Sequence, residues 1–186
     1  MKRFDIASTP IEGLLLLTRK PIGDSRGYLE RLFCQEELTE IIARNTVVQV
    51  NHTFTKVRGT VRGMHFQRPP HAEMKLVSCL RGAIFDVAVD LRRNSSTFLR
   101  WHAETLSEGN YKTLIIPEGF AHGFQTLSDD CEMLYFHTAA FRAEAEGGLH
   151  PQDPRLGIEW PLPVGGLSAR DANHAFVSEC FSGLAL

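Results

Sequence analysis

Short strand-like segments separated by turns fill most of this 186-residue chain. In 85–91, Phe85, Val87 and Val89 share one face, and Asp86 and Asp90 share the other. Such segments, recurring at intervals of roughly ten residues, are typical of an antiparallel sandwich or barrel. We predict strands at 12–18, 27–33, 47–55, 59–67, 73–80, 83–91, 98–107, 111–116, 121–127 and 131–139.

Two segments depart from the strand pattern. A helix is predicted at 35–43, where Leu38, Ile41 and Ile42 recur at helical spacing. Residues 140–170 lack a clear period and contain several prolines, so we interpret them as a long packed loop with functional potential. No linker or repeat is visible, and the length is typical of one domain, so residues 1–186 are expected to form a single domain.

The composition argues against several classes of protein. A formal net charge of −2, with no run of like charge, is unlike a nucleic-acid binder or a membrane-surface protein. The apolar run at 14–17 is too short to span a bilayer or to form the core of a signal peptide. The four cysteines contain no C-x-x-C pair, which predicts reduced thiols in a cytoplasmic protein.

The segment 62–75 concentrates basic groups in strand-like sequence, namely Arg62, His65 and Lys75. Apolar strands exclude charge unless it is paired, so these residues predict a pocket that binds an anion and contains a base. A half-buried strand with its basic residues in solvent explains the same residue types. Strict alternation places Arg62 and His65 on opposite faces, so we expect a bulge at Gly63.

Asp86 is the charged residue of the strand that follows Lys75. A turn at Arg81-Gly82 predicts a hairpin, which would bring Asp86 near Lys75 and hold the ammonium group inside the pocket. The alternative is a cross-strand pair on the surface, which contributes little to stability.

Three further residues have both a functional and a structural interpretation. His122 follows a Pro-Glu-Gly turn in an apolar strand, where a histidine is usually structural. Tyr135, taken alone, is a core residue. Asp171 is explained equally well as a turn or cap residue.

These residues belong to a longer ordered series of motifs. The series is Gly23-Asp24-Ser25-Arg26-Gly27-Tyr28, Gln49-Val50-Asn51-His52, Arg62-Gly63-Met64-His65-Phe66-Gln67, Lys75-Leu76-Val77, Phe85-Asp86-Val87-Ala88-Val89-Asp90-Leu91, Pro117-Glu118-Gly119-Phe120-Ala121-His122-Gly123-Phe124, Tyr135, Asp153-Pro154, Gly157-Ile158, Trp160-Pro161 and Leu167-Ser168-x-x-Asp171. It closely resembles the dTDP-4-dehydrorhamnose 3,5-epimerase family. The resemblance implies an all-β, cupin-type double-stranded β-helix (jelly roll) with a few short helices, a homodimer, and a nucleotide-diphosphate 4-keto-6-deoxyhexose as substrate.

The resemblance also implies catalytic roles. His65 resembles the base that removes the proton beside the ketone, and Asp171 the acid that orients it. Tyr135 resembles the acid that returns a proton to the opposite face. Lys75 resembles the group that stabilises the enolate oxygen, with Asp86 as its partner.

A further set of residues is implied to bind substrate. Its members are Arg26, Gln49, Asn51, Arg62, Asp86, His122, Phe141, Glu146 and Arg170. Among them Arg26 is expected to reach the pocket of the partner subunit.

Epimerisation is redox-neutral, so no cofactor is expected. The usual metal site of cupins needs two histidines one residue apart. Gln67 stands at the second position here and is a poor transition-metal ligand, so we predict no catalytic metal, and a metal-dependent oxygenase is disfavoured.

The choice of substrate and of inverted carbon stays open. Arg31 stands where the family often has glutamate, with Glu30 adjacent. Val50, Phe136, His137 and Phe141 also depart from the family pattern. The alternatives are single-position (C3 or C5) epimerisation or ketoisomerisation of a dTDP-, CDP- or GDP-sugar, and a non-catalytic cupin that binds a sugar nucleotide.

Overall fold

The computed structural model describes residues 2–42 and 45–186, which form two antiparallel β-sheets packed face to face. The strands, in chain order, are β1 (Phe4–Ser8), β2 (Leu15–Arg19), β3 (Ile22–Asp24), β4 (Gly27–Leu29), β5 (Gln49–Thr55), β6 (Val61–Gln67), β7 (Lys75–Arg81), β8 (Ala83–Asp90), β9 (Trp101–Ser107), β10 (Lys112–Ile116), β11 (Phe120–Thr126), β12 (Cys131–His137) and β13 (Glu146–Gly148). The helices are α1 (Thr39–Ile42), a 3-10 turn (Ala143–Ala145) and α2 (Ala169–Ala172).

One sheet has six strands in the order β1-β2-β10-β7-β12-β5, and the other has five in the order β13-β6-β11-β8-β9. β3 and β4 form a separate pair. Apart from the pairs β1–β2 and β8–β9, neighbouring strands within each sheet are not consecutive in the sequence, as expected for a jelly roll. The all-β prediction is confirmed.

Apolar residues lie on both faces of each sheet because both faces are covered. Between the sheets, the core includes Val77, Leu114, Met133, Ile84, Ala88, Phe120 and Phe124. Leu38, just before α1, and Ile42, at its end, cover the outer face of the six-stranded sheet. Leu149, Leu156 and Val177 cover the outer face of the five-stranded sheet, which holds the C-terminal segment against β6.

The predicted hairpin between β7 and β8 is wrong. β7 lies in the six-stranded sheet and β8 in the five-stranded one, so the chain changes sheet at Gly82. Alternation predicts which residues share a face, but it cannot assign a strand to one of two sheets when both faces are buried. Lys75 and Asp86 therefore lie on opposing sheets.

Several element boundaries also differ from the predictions. The helix predicted at 35–43 begins only at Thr39, and its last predicted residue, Ala43, lies outside the described residues. The segment predicted as a long loop, 140–170, contains the 3-10 turn and β13. The strand predicted at 27–33 ends at Leu29.

All four cysteines are free thiols, of which Cys79 and Cys131 are buried, Cys34 is half-buried and Cys180 is exposed. No helix of residues 2–42 and 45–186 is long and apolar enough to cross a membrane.

Candidate active site

A cavity of about 210 Å³ opens at one end of the space between the two sheets. Its walls come from β5, β7 and β12 on one side and from β6 and β11 on the other. The lining residues are Gln49, Asn51, Thr53, Arg62, His65, Phe66, Gln67, Glu73, Lys75, His122, Phe124, Tyr135, His137, Phe141, Glu146 and Arg170. Most of the predicted site residues are among them.

The predicted bulge in β6 is confirmed. His65 pairs with His122 on β11 and Arg62 pairs with Phe124, so β6 holds two intervening residues where β11 holds one. At Gly63 an added Cβ would lie 2.5 Å from the Cα of Gly123, so a side chain has no space there. The extra residue lets Arg62 and His65 line the same cavity, which strict alternation forbids.

Asp171 reaches His65 from α2, which packs against β6. Ser168 caps the helix, with its hydroxyl oxygen accepting a hydrogen bond from the Asp171 backbone N–H at 3.0 Å. Asp171 Oδ1 lies 2.7 Å from His65 Nε2, and the Gly63 backbone N–H donates to Oδ2 at 3.4 Å. Burial alone would raise the pKa of Asp171, but hydrogen bonds from His65 and Gly63 and nearby positive charge lower it below its ordinary value. Asp171 is therefore a carboxylate at neutral pH.

The contact with Asp171 assigns the tautomer of His65. A carboxylate has no proton to donate, so His65 Nε2 carries the hydrogen and Nδ1 carries the lone pair. Arg170 Nη2 also lies 3.0 Å from Nε2, but it is a donor, so it is a neighbour rather than a hydrogen-bond partner in this form.

His65 is poised as a base near neutral pH. Burial lowers its pKa below the ordinary value, the charges of Arg170 and Lys75 lower it further, and Asp171 opposes these effects. A histidine with a lowered pKa is neutral at pH 7 and can accept a proton at Nδ1.

Tyr135 lies on the opposite sheet from His65, in β12. Alternation along β12 turns it inward, and its ring makes an edge contact with the ring of His122 at 6.1 Å. Burial raises its pKa well above the ordinary value. The phenol therefore keeps its proton throughout the neutral range and can donate it only to a strong base such as a carbanion.

Lys75 and Asp86 each have another direct partner, although the charge of Lys75 still acts on the Asp86 carboxyl, so their pairing inside the pocket stays a prediction. Lys75 Nζ lies 3.3 Å from Glu73 Oε1, whereas Asp86 Oδ1 lies 2.7 Å from His122 Nε2. Asp86 lies on the opposing sheet from Lys75, on the strand next to β11, where its register partner is Phe124, two residues from His122. Burial raises the pKa of Asp86, while His122 and the charge of Lys75 lower it in part.

The predicted substrate-binding residues fall into two groups. Gln49, Asn51, Arg62, His122, Phe141, Glu146 and Arg170 line the cavity, and Asp86 lies directly behind His122. Arg26 lies outside the cavity of its own chain, where its side chain is 89% exposed and pairs with Asp24. Of the Glu30 and Arg31 alternatives, neither lines the cavity, and Glu30 pairs with Arg19.

Glu73 and His137 line the cavity although neither was predicted as a site residue. His137 Nδ1 lies 2.8 Å from Glu73 Oε2, and its Nε2 lies 3.3 Å from Asn51. Strand alternation contained the signal for His137, because it lies two residues after Tyr135 and shares its face. Glu73 lies at the first position of the strand predicted at 73–80, where alternation places it on the same face as Lys75, although β7 itself begins at Lys75.

Gln67, at the second position of the usual cupin metal motif, is occupied by backbone hydrogen bonds. Its Nε2 donates to the carbonyls of His71 and Ala140, and its Oε1 accepts from the Arg142 N–H. The absence of a catalytic metal stays a prediction.

The profile of the dTDP-4-dehydrorhamnose 3,5-epimerase family matches residues 8–179, which is most of the chain. The chain belongs to this family. The dTDP-4-dehydrorhamnose 3,5-epimerase of Salmonella typhimurium LT2 is 45% identical over 171 residues, covering 90% of this chain and 92% of the relative. The dTDP-4-dehydrorhamnose 3-epimerase of Streptomyces niveus is 35% identical over 91% of this chain and 82% of its own length.

Solved structures agree with this assignment. The dTDP-6-deoxy-D-glucose-3,5-epimerase of Legionella pneumophila, in complex with dTDP-4-keto-L-rhamnose, has a TM-score of 0.89 at 37% identity. The alignment covers 93% of this chain and 92% of that one. The predicted family and cupin-type fold are confirmed.

Proposed function

We propose that this protein is an isomerase that inverts C3 and C5 of dTDP-4-dehydro-6-deoxyglucose without a cofactor. The observation that carries the proposal is the placement of His65 and Tyr135 on opposing sheets across one cavity. Inversion needs a base on one face of the sugar ring and an acid on the other. A binding protein needs neither, which disfavours a non-catalytic cupin.

The reaction begins when His65 Nδ1 takes the proton from the carbon beside the ketone. Asp171 stabilises the resulting imidazolium through its 2.7 Å contact with Nε2. The electron pair of the broken C–H bond moves onto the ketone oxygen, and Lys75 supplies the positive charge that the enolate needs. Tyr135 then returns a proton to the opposite face of the carbon, which inverts it.

The nucleobase of the substrate is proposed to bind to Gln49, Asn51 and Phe141. The Phe141 N–H donates to Gln49 Oε1 at 3.0 Å, so the aromatic ring and the polar strand residues form one surface. Arg62 and Arg170 supply positive charge for the diphosphate. dTDP is favoured over other nucleotides because relatives named as epimerases of dTDP-sugars align with most of the chain.

The proposal also includes the domain organisation, the assembly and the location of the enzyme. We propose a single catalytic domain over residues 1–186, a homodimer and a cytoplasmic location. In the homodimer Arg26, which lies outside the pocket of its own chain, would reach the partner's pocket.

Epimerisation at C3 alone is a second candidate. It is favoured by the similarity to the Streptomyces niveus 3-epimerase. Incubation with dTDP-4-dehydro-6-deoxyglucose in heavy water distinguishes the two, because NMR detects deuterium at C3 and C5 separately. Deuterium at both carbons supports the 3,5-epimerase, deuterium at C3 alone supports the second candidate, and incorporation at neither contradicts both.

The role of His65 is tested with a matched pair of histidine variants. His65→Ala should lower deuterium incorporation by at least about 10²-fold, as is typical for loss of a general base. His52→Ala removes a histidine that also pairs with a carboxylate, Glu132 at 3.1 Å, but on the exposed edge strand. It should retain full activity. Retention of more than a tenth of wild-type exchange by His65→Ala would show that another group is the base.

A further inference from the structure

His174 is a histidine that the proposed reaction does not use. It lies just after α2, and its ring makes an edge contact with the ring of His65, with centroids 5.8 Å apart. Its Nε2 is buried and makes no hydrogen bond with any residue in the described ranges 2–42 and 45–186. The nearest acid oxygen, Asp171 Oδ1, is 3.9 Å away, which is too long for a hydrogen bond.

The ring of His174 is fixed by the backbone of β13. An added Cβ at Gly148 would lie 2.2 Å from His174 Nε2, so the ring occupies the space that a side chain would fill. Gly148 pairs directly with His65 in the sheet. The imidazole therefore packs beside the catalytic pair, and no residue of 2–42 or 45–186 forms a hydrogen bond with its Nε2.

Together His65, Asp171 and His174 offer three ligand atoms that lie within 4.8 Å of one another. Zinc binds histidine nitrogen and carboxylate oxygen at 2.0–2.2 Å, so ligand atoms of a tetrahedral site are roughly 3.4 Å apart. The contacts of Asp171 Oδ1, 2.7 Å to His65 and 3.9 Å to His174, bracket that value, and a bound metal would also draw together the two imidazoles, which lie within 4.8 Å of each other. Two imidazoles and one carboxylate are a common ligand set for such metals.

We propose that His65, Asp171 and His174 form an inhibitory site for a divalent transition metal such as Zn²⁺. The metal takes the lone pair of His65 Nε2, which requires the ring proton to lie on Nδ1. The histidine then has no free lone pair, so it cannot accept a proton from the sugar. The inhibition rests on the proposed function of His65, whereas the binding of the metal does not.

Arg170 opposes the metal and must move aside. Its Nη2 lies 3.0 Å from His65 Nε2, while its Nη1 donates a hydrogen bond to Glu146 Oε1 at 2.9 Å. The side chain is half exposed, so it can leave His65 and keep Glu146. Arg170→Gln removes this positive charge and should tighten metal binding.

Binding is measured first on the protein alone, with Co²⁺ as the probe, because protein-bound Co²⁺ absorbs visible light. Wild-type protein should bind one Co²⁺ at this site, and Zn²⁺ should displace it. His174→Ala and His174→Gln should weaken binding by at least about tenfold, since loss of even an indirect partner of a metal ligand costs 10–100-fold in affinity. His102→Ala is the control, because His102 pairs with Glu104 at 3.1 Å on the distant strand β9.

Turnover is then measured against Zn²⁺ concentration. Zn²⁺ should inhibit the wild type and the His102 variant alike, and the two His174 variants should need at least about tenfold more metal. Equal Co²⁺ binding by wild type and both His174 variants, or no binding by wild type, overturns the site. Binding that depends on His174 but leaves turnover unaffected overturns the inhibitory role and keeps the site. Wild-type protein that binds Co²⁺ but has no epimerase activity contradicts the proposed function alone.

Discussion

Asp171→Asn tests the pairing of the base with its acid, because it removes a charge and keeps the shape. In the wild type, Oδ1 accepts from His65 Nε2 at 2.7 Å and Oδ2 accepts from the Gly63 N–H at 3.4 Å. The amide has one oxygen and one NH₂ group, so it can satisfy only one of these two donors.

The two orientations of the amide have different consequences. With its oxygen toward His65, the hydrogen bond changes from charged to neutral, which costs about 1 kcal/mol, or five- to tenfold in rate. Its NH₂ group then faces the Gly63 N–H, donor against donor. With its oxygen toward Gly63, the NH₂ group donates to His65 Nε2, and the imidazole proton moves to Nδ1. The base is then lost, which lowers the rate by about 10²–10⁴-fold, or about 2.7–5.4 kcal/mol.

The Gly63 N–H favours the second orientation, so we expect a decrease in kcat of at least about 10²-fold. The measurement is deuterium incorporation into dTDP-4-dehydro-6-deoxyglucose, with thermal unfolding as a check on the fold. Glu132→Gln is the matched control, because it makes the same change in an exposed histidine–carboxylate pair, His52–Glu132. It should stay within about twofold of wild type, since surface pairs contribute little. A decrease of less than tenfold in Asp171→Asn would refute the tautomer argument.

The pH dependence of kcat/KM distinguishes a role of Asp171 in fixing the tautomer of His65 from a purely structural role. Because burial lowers the pKa of His65, the acid limb of kcat/KM should lie below about 6.5, with activity rising as His65 loses its proton. Asp171 opposes that lowering, so the residual activity of Asp171→Asn should have its acid limb at still lower pH. A loss of activity that is equal at every pH would indicate a structural role.

Three further predictions follow from the described contacts. Tyr135→Phe should permit deuterium incorporation at the first carbon while suppressing inverted product, and equal product yields in NMR would exclude it as the donor. Lys75→Met should lower kcat by about 10²–10³-fold in steady-state assays, since the enolate loses its counter-charge, and a change below tenfold would contradict this role. Asp90→Asn should cost about 3–5 kcal/mol of stability at pH 7, because buried Asp90 holds Arg92 at 2.8 Å and accepts from Ser95 and Thr97. Hydrogen bonds from these partners outweigh burial and lower the pKa of Asp90, so the cost should diminish as pH falls below about 3.9, and a denaturation series showing a pH-independent difference would contradict it.

Much of the fold could be predicted from the sequence, because alternation along β6, β8 and β12 is strong. What alternation could not assign was the sheet to which each strand belongs. Val87 and Ala88 are both fully buried, one against the C-terminal segment and the other between the sheets. Asp86 and Asp90 are buried as well, so the polar residues of β8 do not mark an outside face. This ambiguity produced the wrong hairpin between β7 and β8.

For the site, too, some features could be predicted from the sequence and others could not. The bulge at Gly63 was predictable, because Arg62 and His65 could line one cavity only if the alternation broke between them. The contact of Lys75 with Glu73 also had a signal, because the strand predicted at 73–80 places the two residues on one face, but Glu73 was not recognised as a site residue. His174 had no sequence signal, because its place beside His65 depends on how the C-terminal segment packs against β13.

The change of sheet at Gly82 limits how this enzyme can evolve. An added Cβ at Gly82 would lie 2.5 Å from Ser128 Oγ, and the Ala83 N–H donates to the same hydroxyl at 3.0 Å, so the turn is clamped to the start of β12. Because β11 and β12 also lie in different sheets, this contact ties together two of the connections that join the walls of the cavity. Substitutions that change specificity are therefore expected among the side chains that line the walls, since these can change while the two connections stay in contact.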